Sequence, residues 1–347
     1  MSPYDLTLDE LGDRLAGEPP FRARQVWHGL YGRGLRPEEM TDLPLRLRAR
    51  LADELPPSLR LVAERRSRDG TVKWLWDAGV ETVLMPYPDR ATVCVSSQAG
   101  CAMACTFCAT GQGGFSRHLT TGEILEQVVH ARRQASPRRL SNVVFMGMGE
   151  PLANYDRVWA AVERINGALG ISARHLTIST VGLVPGIRRL AREALPVNLA
   201  VSLHAADDAK RNRLVPANRR YPIAELMEAC RQYLAAKGRR LSFEWALISG
   251  VNDGPVDARD LAGLARPLGA HVNLIPLNPT PGYPAKGSAP AGVRAFRDEL
   301  ARLGVNVTVR RNRGGDIEAA CGQLAAARLG PPRRAATAAT ARRVPDW

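Results

Sequence analysis

Gly100-Cys101-Ala102-Met103-Ala104-Cys105-Thr106-Phe107-Cys108 is the stretch that decides how this chain reads. Its C-x3-C-x2-C spacing puts three thiolates on one short loop, and thiolates are the usual ligands of iron–sulfur clusters. A [4Fe–4S] cubane held by only three cysteines keeps one iron open to a small chelating molecule. The amino and carboxylate groups of S-adenosylmethionine (SAM) suit that position and would bring its sulfonium beside an electron donor. A structural zinc ion is normally closed by four ligands. No fourth Cys or His lies in the loop: Cys94 falls within the preceding apolar run, and His118 is distant.

Outward from this loop the chain is regular. Short β-branched runs recur at 91–97, 142–147, 175–180, 198–204, 241–247 and 271–277, with amphipathic helical stretches between them that include 122–133, 155–169, 223–236 and 257–268. Alternating β and α units of this length predict a parallel sheet with right-handed crossovers. Six such units make an incomplete (β/α)6 barrel rather than a full eight-unit one. A last strand (305–309) and a helix (316–328) are expected to close it. Before the barrel, residues 1–60 read as a small helical accessory domain and 61–90 as a β linker segment. In the latter, Val72, Trp74 and Trp76 alternate before Gly79. The expected organisation is thus 1–60, 61–90, a partial barrel with a C-terminal extension over 91–329, and a disordered tail over 330–347, which is rich in Pro, Ala and Arg.

Sites in (β/α) barrels sit at the C-terminal ends of the strands, and the ends here are chemically unusual. The second strand runs into Gly147-Met148-Gly149-Glu150-Pro151, where glycines let backbone approach a ligand and Glu150 can accept from an ammonium group. The third ends at Ser179, the fourth at Ser202-Leu203-His204 and the sixth at Asn278. Any one of these alone reads as a cap or turn former. Together with the cysteine loop they read as a cofactor site.

Composition bounds the partners. The formal charge is +14, and lysine occurs only at 73, 210, 237 and 286, so arginine carries nearly all the positive charge. Such a balance favours a polyanion, nucleic acid first. The segments Arg211-Asn212-Arg213, Arg219-Arg220 and Arg310-Arg311-Asn312-Arg313 are the expected phosphate contacts. No apolar run approaches the roughly 18–20 residues of a membrane span, and residues 1–10 carry no secretory pattern, so a cytoplasmic location is expected. Clustered cysteines in such a chain indicate metal or catalysis more than disulfides. Cys230, inside an amphipathic run, reads as a buried small hydrophobe.

The sequence resembles the RlmN branch of the RlmN/Cfr radical SAM methyl synthases. The likeness rests on Cys94-Val-Ser-Ser-Gln-Ala-Gly-Cys101, Cys108-Ala-Thr-Gly-Gln-Gly-Gly114, Gly147-Met-Gly-Glu-Pro-Leu-Ala-Asn154, Val201-Ser-Leu-His204, Asn273-Leu-Ile-Pro-Leu-Asn-Pro279 and Ala320-Cys321-Gly-Gln-Leu324, and runs from about residue 4 to 328. It implies a radical SAM barrel with a [4Fe–4S] cluster on Cys101, Cys105 and Cys108. SAM would lie against Gly149, Glu150, Ser179, Ser202, Leu203, His204 and Asn278. The implied substrate is an adenosine of 23S rRNA methylated at C2, with a tRNA adenosine used by some members, and the implied N-terminal appendage binds RNA. By the same resemblance, Cys321 carries a methyl group and Cys94 resolves the covalent intermediate in a disulfide, while Glu81 stands where the family has a proposed proton acceptor. An external electron donor such as flavodoxin or ferredoxin and a monomeric state complete the expectation.

The chemistry fits such a reading. C2 of adenine is an electron-poor carbon between two ring nitrogens and does not attack a sulfonium methyl, so a radical route is required. Two alternatives stand beside it: C8 methylation of the same adenosine, as in the Cfr branch, and a non-catalytic iron–sulfur protein that binds RNA.

Overall fold

The structure is a computed structural model that describes residues 1–310 and 312–325. Three short helices open the chain: α1 (Leu8–Arg14), α2 (Phe21–Trp27) and α3 (Leu45–Glu54). Thr7 caps α1 through a reciprocal pair with Glu10. None of the three is long enough to hold itself together in water. Their apolar residues Leu11, Val26, Leu47 and Leu51, with Leu30 and Tyr31 of the helical turn His28–Gly32 that follows α2, are buried in the common core. They dock on α5 (Thr121–Ala135), whose Arg132 donates to the carbonyls of Tyr31 and Gly32 at 2.7 and 3.0 Å and whose Arg133 pairs with Glu39 at 2.8 Å.

Ten strands form one sheet. Three are antiparallel: β1 (Leu61–Arg66), β2 (Val72–Trp76) and β3 (Val80–Pro86), the last pairing with β4 (Ala91–Cys94). From β4 onward every pairing is parallel, through β7 (Leu140–Phe145), β8 (Leu176–Thr180), β9 (Asn198–Ser202), β10 (Leu241–Leu247), β11 (His271–Pro276) and the short β12 (Val307–Val309). A separate two-stranded ribbon, β5 (Gln98–Gly100) with β6 (Phe115–His118), frames the cysteine loop, and α4 (Ala109–Gln112) leads out of it. Of the seven parallel strands, β4 and β7 to β11 are the six strands of the expected partial barrel and β12 is the expected closing strand, with crossover helices between them. The helices include α6 (Tyr155–Gly167), α7 (Val184–Leu190), α8 (Asp208–Leu214), α9 (Ile223–Lys237), α10 (Pro255–Ala265) and α11 (Pro290–Arg302).

The alternation along β10 shows how the barrel divides its two faces. Phe243 and Trp245 point to the helices, where Trp245 stacks on Phe296 of α11 at 6.1 Å. Glu244 and Ala246 point inward and line a cavity. All seven residues of β10 are buried, as parallel strands covered on both faces must be.

Several expectations change. Within the segment 61–90, expected as a β linker, β1–β3 extend the barrel sheet. The helix expected over 316–328 is absent over its described part: Gly315–Ile317 make one 3-10 turn, and 321–325 run as a turn and irregular chain. Asn278 and the carboxylates of Asp69 and Asp316 draw this stretch into loop contacts that a helix would break. The tail at 330–347 lies outside the described residues. Among the described residues no helix is long and apolar enough to cross a membrane.

Candidate active site

The C-terminal ends of β7, β8, β9, β10 and β11 surround a cavity of about 160 Å³. Its wall brings together Cys101, Cys105, Cys108, Gly149, Glu150, Ser179, Ser202, His204, Asn278 and Cys321, which lie up to 220 positions apart (321 − 101). Cys94, Leu203 and Glu81 stand behind that wall rather than in it.

Cys101 follows β5, and Cys108 precedes the first turn of α4. Burial pushes the Cys101 thiol up to about 12, with Glu150 and Cys108 adding to the effect, and Cys105 is raised by burial and then by Cys108 and Cys101. The three sulfurs thus share one electrostatic neighbourhood. Among the described residues no three His, Cys, Asp or Glu side chains meet tightly enough for a single metal ion. Three soft donors from one loop, facing one cavity, are the set that a [4Fe–4S] cluster takes.

Glu150 is 2% exposed, and burial pushes its carboxyl up to about 7. One oxygen accepts from the Leu152 N–H at 3.0 Å and the other from the Val181 N–H at 2.9 Å, with the Thr180 side chain as a further hydrogen-bond partner. Its own N–H donates to Gln98 Oε1 at 2.8 Å. The glycines of this segment have a different reason from the one expected. A Cβ on Gly147 would stand 2.6 Å from the Val95 carbonyl oxygen, and one on Gly149, whose φ is +99°, 2.6 Å from the Gln98 side chain. They let the β7 loop close on the chain leading into the cysteine loop.

His204 sits in the left-handed region at φ +58° with its Nδ1 accepting from the Ala246 N–H at 2.9 Å. Burial, reinforced by Arg211, holds the ring neutral with a pKa of about 3, and it meets Phe107 edge-on at 4.7 Å. The Asn278 amide donates to the Cys321 carbonyl at 3.1 Å and its oxygen accepts from Asn312 at 2.6 Å. The Cys321 loop is also fastened to α4, where the Ala109 N–H donates to the Gly322 carbonyl at 2.8 Å and the Thr110 hydroxyl to that of Leu324.

Cys94, at the end of β4, is a buried free thiol, and Cys321 is an exposed one. Burial pushes the Cys94 thiol up to about 12, Cys321 adds to the rise, and Arg310 opposes it. Both thiols are free and do not stand at disulfide distance, although Cys94 lies within electrostatic reach of Cys321 across 227 positions of sequence (321 − 94). Glu81 forms a buried ion pair with Lys73 at 3.1 Å and accepts from the Ala325 N–H at 3.2 Å.

Three arginines expected on RNA have partners within the protein. Arg211 is fully buried and donates to the carbonyls of Leu203 and Val181 at 3.0 and 2.6 Å and to Asn218 at 2.6 Å, tying together the ends of β8 and β9. Arg310 faces the cavity beside Cys321. Arg313 donates to the Pro86 carbonyl and lies over the Tyr87 ring. A run of arginines looks alike from the sequence whether it faces solvent or core. Glu244, Met146 and Thr180 were also missed. For Glu244 a signal existed, since an acidic residue in the middle of an otherwise apolar strand is rarely buried without a task.

A partial parallel barrel with a three-cysteine loop and a cavity at its strand ends is the arrangement of a radical SAM enzyme, and the family model for the Radical SAM superfamily matches residues 95–262. The chain is 55% identical to a protein of Frankia casuarinae named probable dual-specificity RNA methyltransferase RlmN, over 95% of this chain and 84% of that protein. It is 50% identical to the dual-specificity RNA methyltransferase RlmN of an Anaeromyxobacter species, over 95% and 92%. A radical SAM methyltransferase from Sphaerobacter thermophilus superposes with a TM-score of 0.91 at 51% identity, covering 94% of this chain and 99% of that one. The chain belongs to the RlmN family of radical SAM methyltransferases.

Proposed function

We propose that this chain methylates C2 of an adenosine in 23S rRNA by way of a methyl group carried on Cys321. The observation that carries the reading is the placement of Cys321: Asn278 and α4 hold its backbone at the cavity wall, with the Cys94 thiol behind it. The dual specificity in the relatives' names supports a second RNA substrate, for which we propose a tRNA adenosine.

Cys101, Cys105 and Cys108 would hold the [4Fe–4S] cluster. Gly149, Glu150, Ser179, Ser202, Leu203, His204 and Asn278 would seat SAM, Leu203 through its backbone beside His204. Bound there, the two supply one-electron chemistry, with an external flavodoxin or ferredoxin as the source of the electron. The protein's own groups do the rest. Cys321, a strong nucleophile as thiolate, takes up the methyl group and presents it to the base. Cys94 or Glu81 receives the proton lost from C2. Cys94, as a thiolate, then attacks the Cys321 sulfur; the carbon–sulfur bond to the product breaks, its electron pair takes up a proton to complete the methyl group, and the two cysteines are left as a disulfide. Residues 1–60, docked on α5, serve as the RNA-binding appendage to the barrel domain of 91–329, with 61–90 joining the two. The target base leaves its stack to reach the cavity, at a cost of a few kcal/mol. The protein works as a monomer in the cytoplasm.

Anaerobic turnover of the reconstituted protein on an unmodified 23S rRNA fragment, read by nucleoside mass spectrometry, tests this. 2-Methyladenosine from the native chain and none from Cys321→Ala is the expected result. 8-Methyladenosine would move the protein to the Cfr-type reaction, and intact SAM would leave only an iron–sulfur RNA-binding protein.

A further inference from the structure

We propose that Arg310 is the residue that activates Cys321, holding its sulfur as a thiolate at the cavity wall while Glu244 holds the guanidinium in place. The inference rests on the reading of Cys321 as methyl carrier. It concerns a residue that the cysteine loop and the strand-end motifs leave out.

The geometry begins at the barrel edge. Beyond β12 the chain adds one more rung, the Arg310 N–H donating to the Leu274 carbonyl at 2.8 Å, so its side chain leaves the sheet at the C-terminal end where the cavity opens. Nη1 then lies 3.9 Å from Cys321 Sγ, 3.4 Å from Glu244 Oε2 and 3.7 Å from Met146 Sδ. Glu244 is itself fixed: its other oxygen accepts from Ser242 Oγ at 3.1 Å and from Asn273 Nδ2 at 2.8 Å. Glu244 is 4% exposed and the Arg310 side chain about a third exposed, so a buried carboxylate anchors a half-buried guanidinium beside one sulfur.

A cation taken from water is costly unless anions surround it. The groups able to supply negative charge here are Glu244, Cys321, Cys94 and Tyr87. Their combined effect, Cys321 first, raises Arg310 further above its already high ordinary value. The guanidinium therefore stays charged throughout, and its charge is available to the thiol it touches. An opposite charge within about 4–6 Å favours the charged form of an acid, so the guanidinium favours the thiolate at the sulfur it touches.

The arrangement also distinguishes the two cysteines. Cys321 contacts Arg310 Nη1 and is exposed, whereas Cys94 is buried, which pushes its thiol up to about 12. Cys321 is therefore the first nucleophile. Its proton goes to solvent, and a sulfur lone pair forms the new carbon–sulfur bond. The methyl–sulfonium bond of SAM breaks, its electron pair staying on the departing thioether. Cys94 is held in reserve for the later attack.

The test is peptide-resolved alkylation of the cluster-loaded protein by iodoacetamide across pH 6–10, on material whose Cys321 is unmethylated by intact mass. In the native chain Cys321 should react with a midpoint well below the ordinary thiol value of about 8.5. Arg310→Met should raise that midpoint by a unit or more and slow alkylation at pH 7 by about tenfold, while Arg310→Lys, which keeps the charge, should fall between. Should the methionine variant fail to fold, Arg310→Gln carries the same expectation. Coincident pH profiles for the native and charge-lacking proteins would overturn the assignment. The outcome separates from that of the methyl-carrier reading. A raised midpoint in a chain whose native form never acquires a methyl on Cys321 leaves Arg310 in place and removes the carrier. Methyl-Cys321 with an unshifted midpoint removes Arg310 alone.

Discussion

Lys73 Nζ lies 3.1 Å from Glu81 Oε1, and both side chains are more than nine-tenths buried. They are diagonal neighbours on the β2–β3 pair, where Lys73 faces Val83 and Glu81 faces Leu75. Each also reaches the far end of the chain. Lys73 donates to the Glu318 carbonyl at 3.0 Å, and Glu81 accepts from the Ala325 N–H at 3.2 Å. One ion pair in the antiparallel extension thus grips both sides of the segment that bears Cys321.

Removing one partner leaves the other as an uncompensated buried charge, at a cost of about 3–5 kcal/mol. Lys73→Met should therefore lower the unfolding midpoint strongly. In Lys73→Met/Glu81→Leu most of that loss should return, because no lone charge remains. Both variants should exchange amide hydrogens faster over residues 318–325 than the native chain. Native-like protection there would show that the segment is held without the pair.

Gly149 permits a second test. Its φ of +99° is strained for any L side chain, and a Cβ would press on Gln98, whose Oε1 accepts from the Glu150 N–H. Gly149→Ala should cost about 1–3 kcal/mol in strain and displace Glu150 from the cavity wall. Binding of SAM to the cluster-loaded protein, followed by equilibrium dialysis, should weaken at least tenfold. Unchanged binding would mean that Glu150 does not contact the cofactor.

Much of this was legible in the sequence, for identifiable reasons. The six barrel strands are long β-branched runs with a single period, and the cysteine spacing is a local pattern, so both survive without knowledge of tertiary contacts. Leu241–Leu247 is bounded as expected to the residue, while β4 stops at Cys94 because Ser96 turns its hydroxyl to the Glu81 carbonyl. The stretch after Gly314 was misread because its shape is set by distant partners, Asn278, Thr110 and Glu81, and not by its own apolar spacing. Arg310 was grouped with its arginine neighbours because nothing local separates a cavity-facing guanidinium from a solvated one.

Arg211 gives a third prediction. Its guanidinium satisfies the Leu203, Val181 and Ser202 carbonyls and Asn218, and 8 Å-scale screening by salt does not reach a site with no exposure. Arg211→Gln should therefore destabilise the fold by about 3 kcal/mol or more, through buried acceptors left unpaired. The salt dependence of RNA affinity should keep its slope in the fraction that remains folded, since no phosphate contact is lost. A slope reduced by about one would return Arg211 to the RNA surface.

His130 supplies a prediction about pH. It lies edge-on to Trp74 and Trp76 at 4.6 and 5.0 Å, its Nε2 is buried without a partner, and burial followed by Arg133 lowers its pKa to about 4. The folded protein keeps this ring neutral, whereas the unfolded chain protonates it below about 6.5. Between those values the unfolded state binds more protons, so this contribution is complete above about 6.5 and is lost as pH falls toward 4. Glu150 and Glu126, raised by burial, act in the opposite sense over much of the same range, so the whole-protein profile masks the histidine. The difference between His130→Phe and the native chain isolates it. At about 1.4 kcal/mol per pH unit, discounted because the ring is only partly buried, the variant should gain roughly 1 kcal/mol relative to the native protein between pH 7.5 and pH 5. Urea midpoints at the two pH values measure this directly. A difference that does not change with pH would mean that His130 titrates alike in both states, and that the two tryptophans do not keep water from its ring.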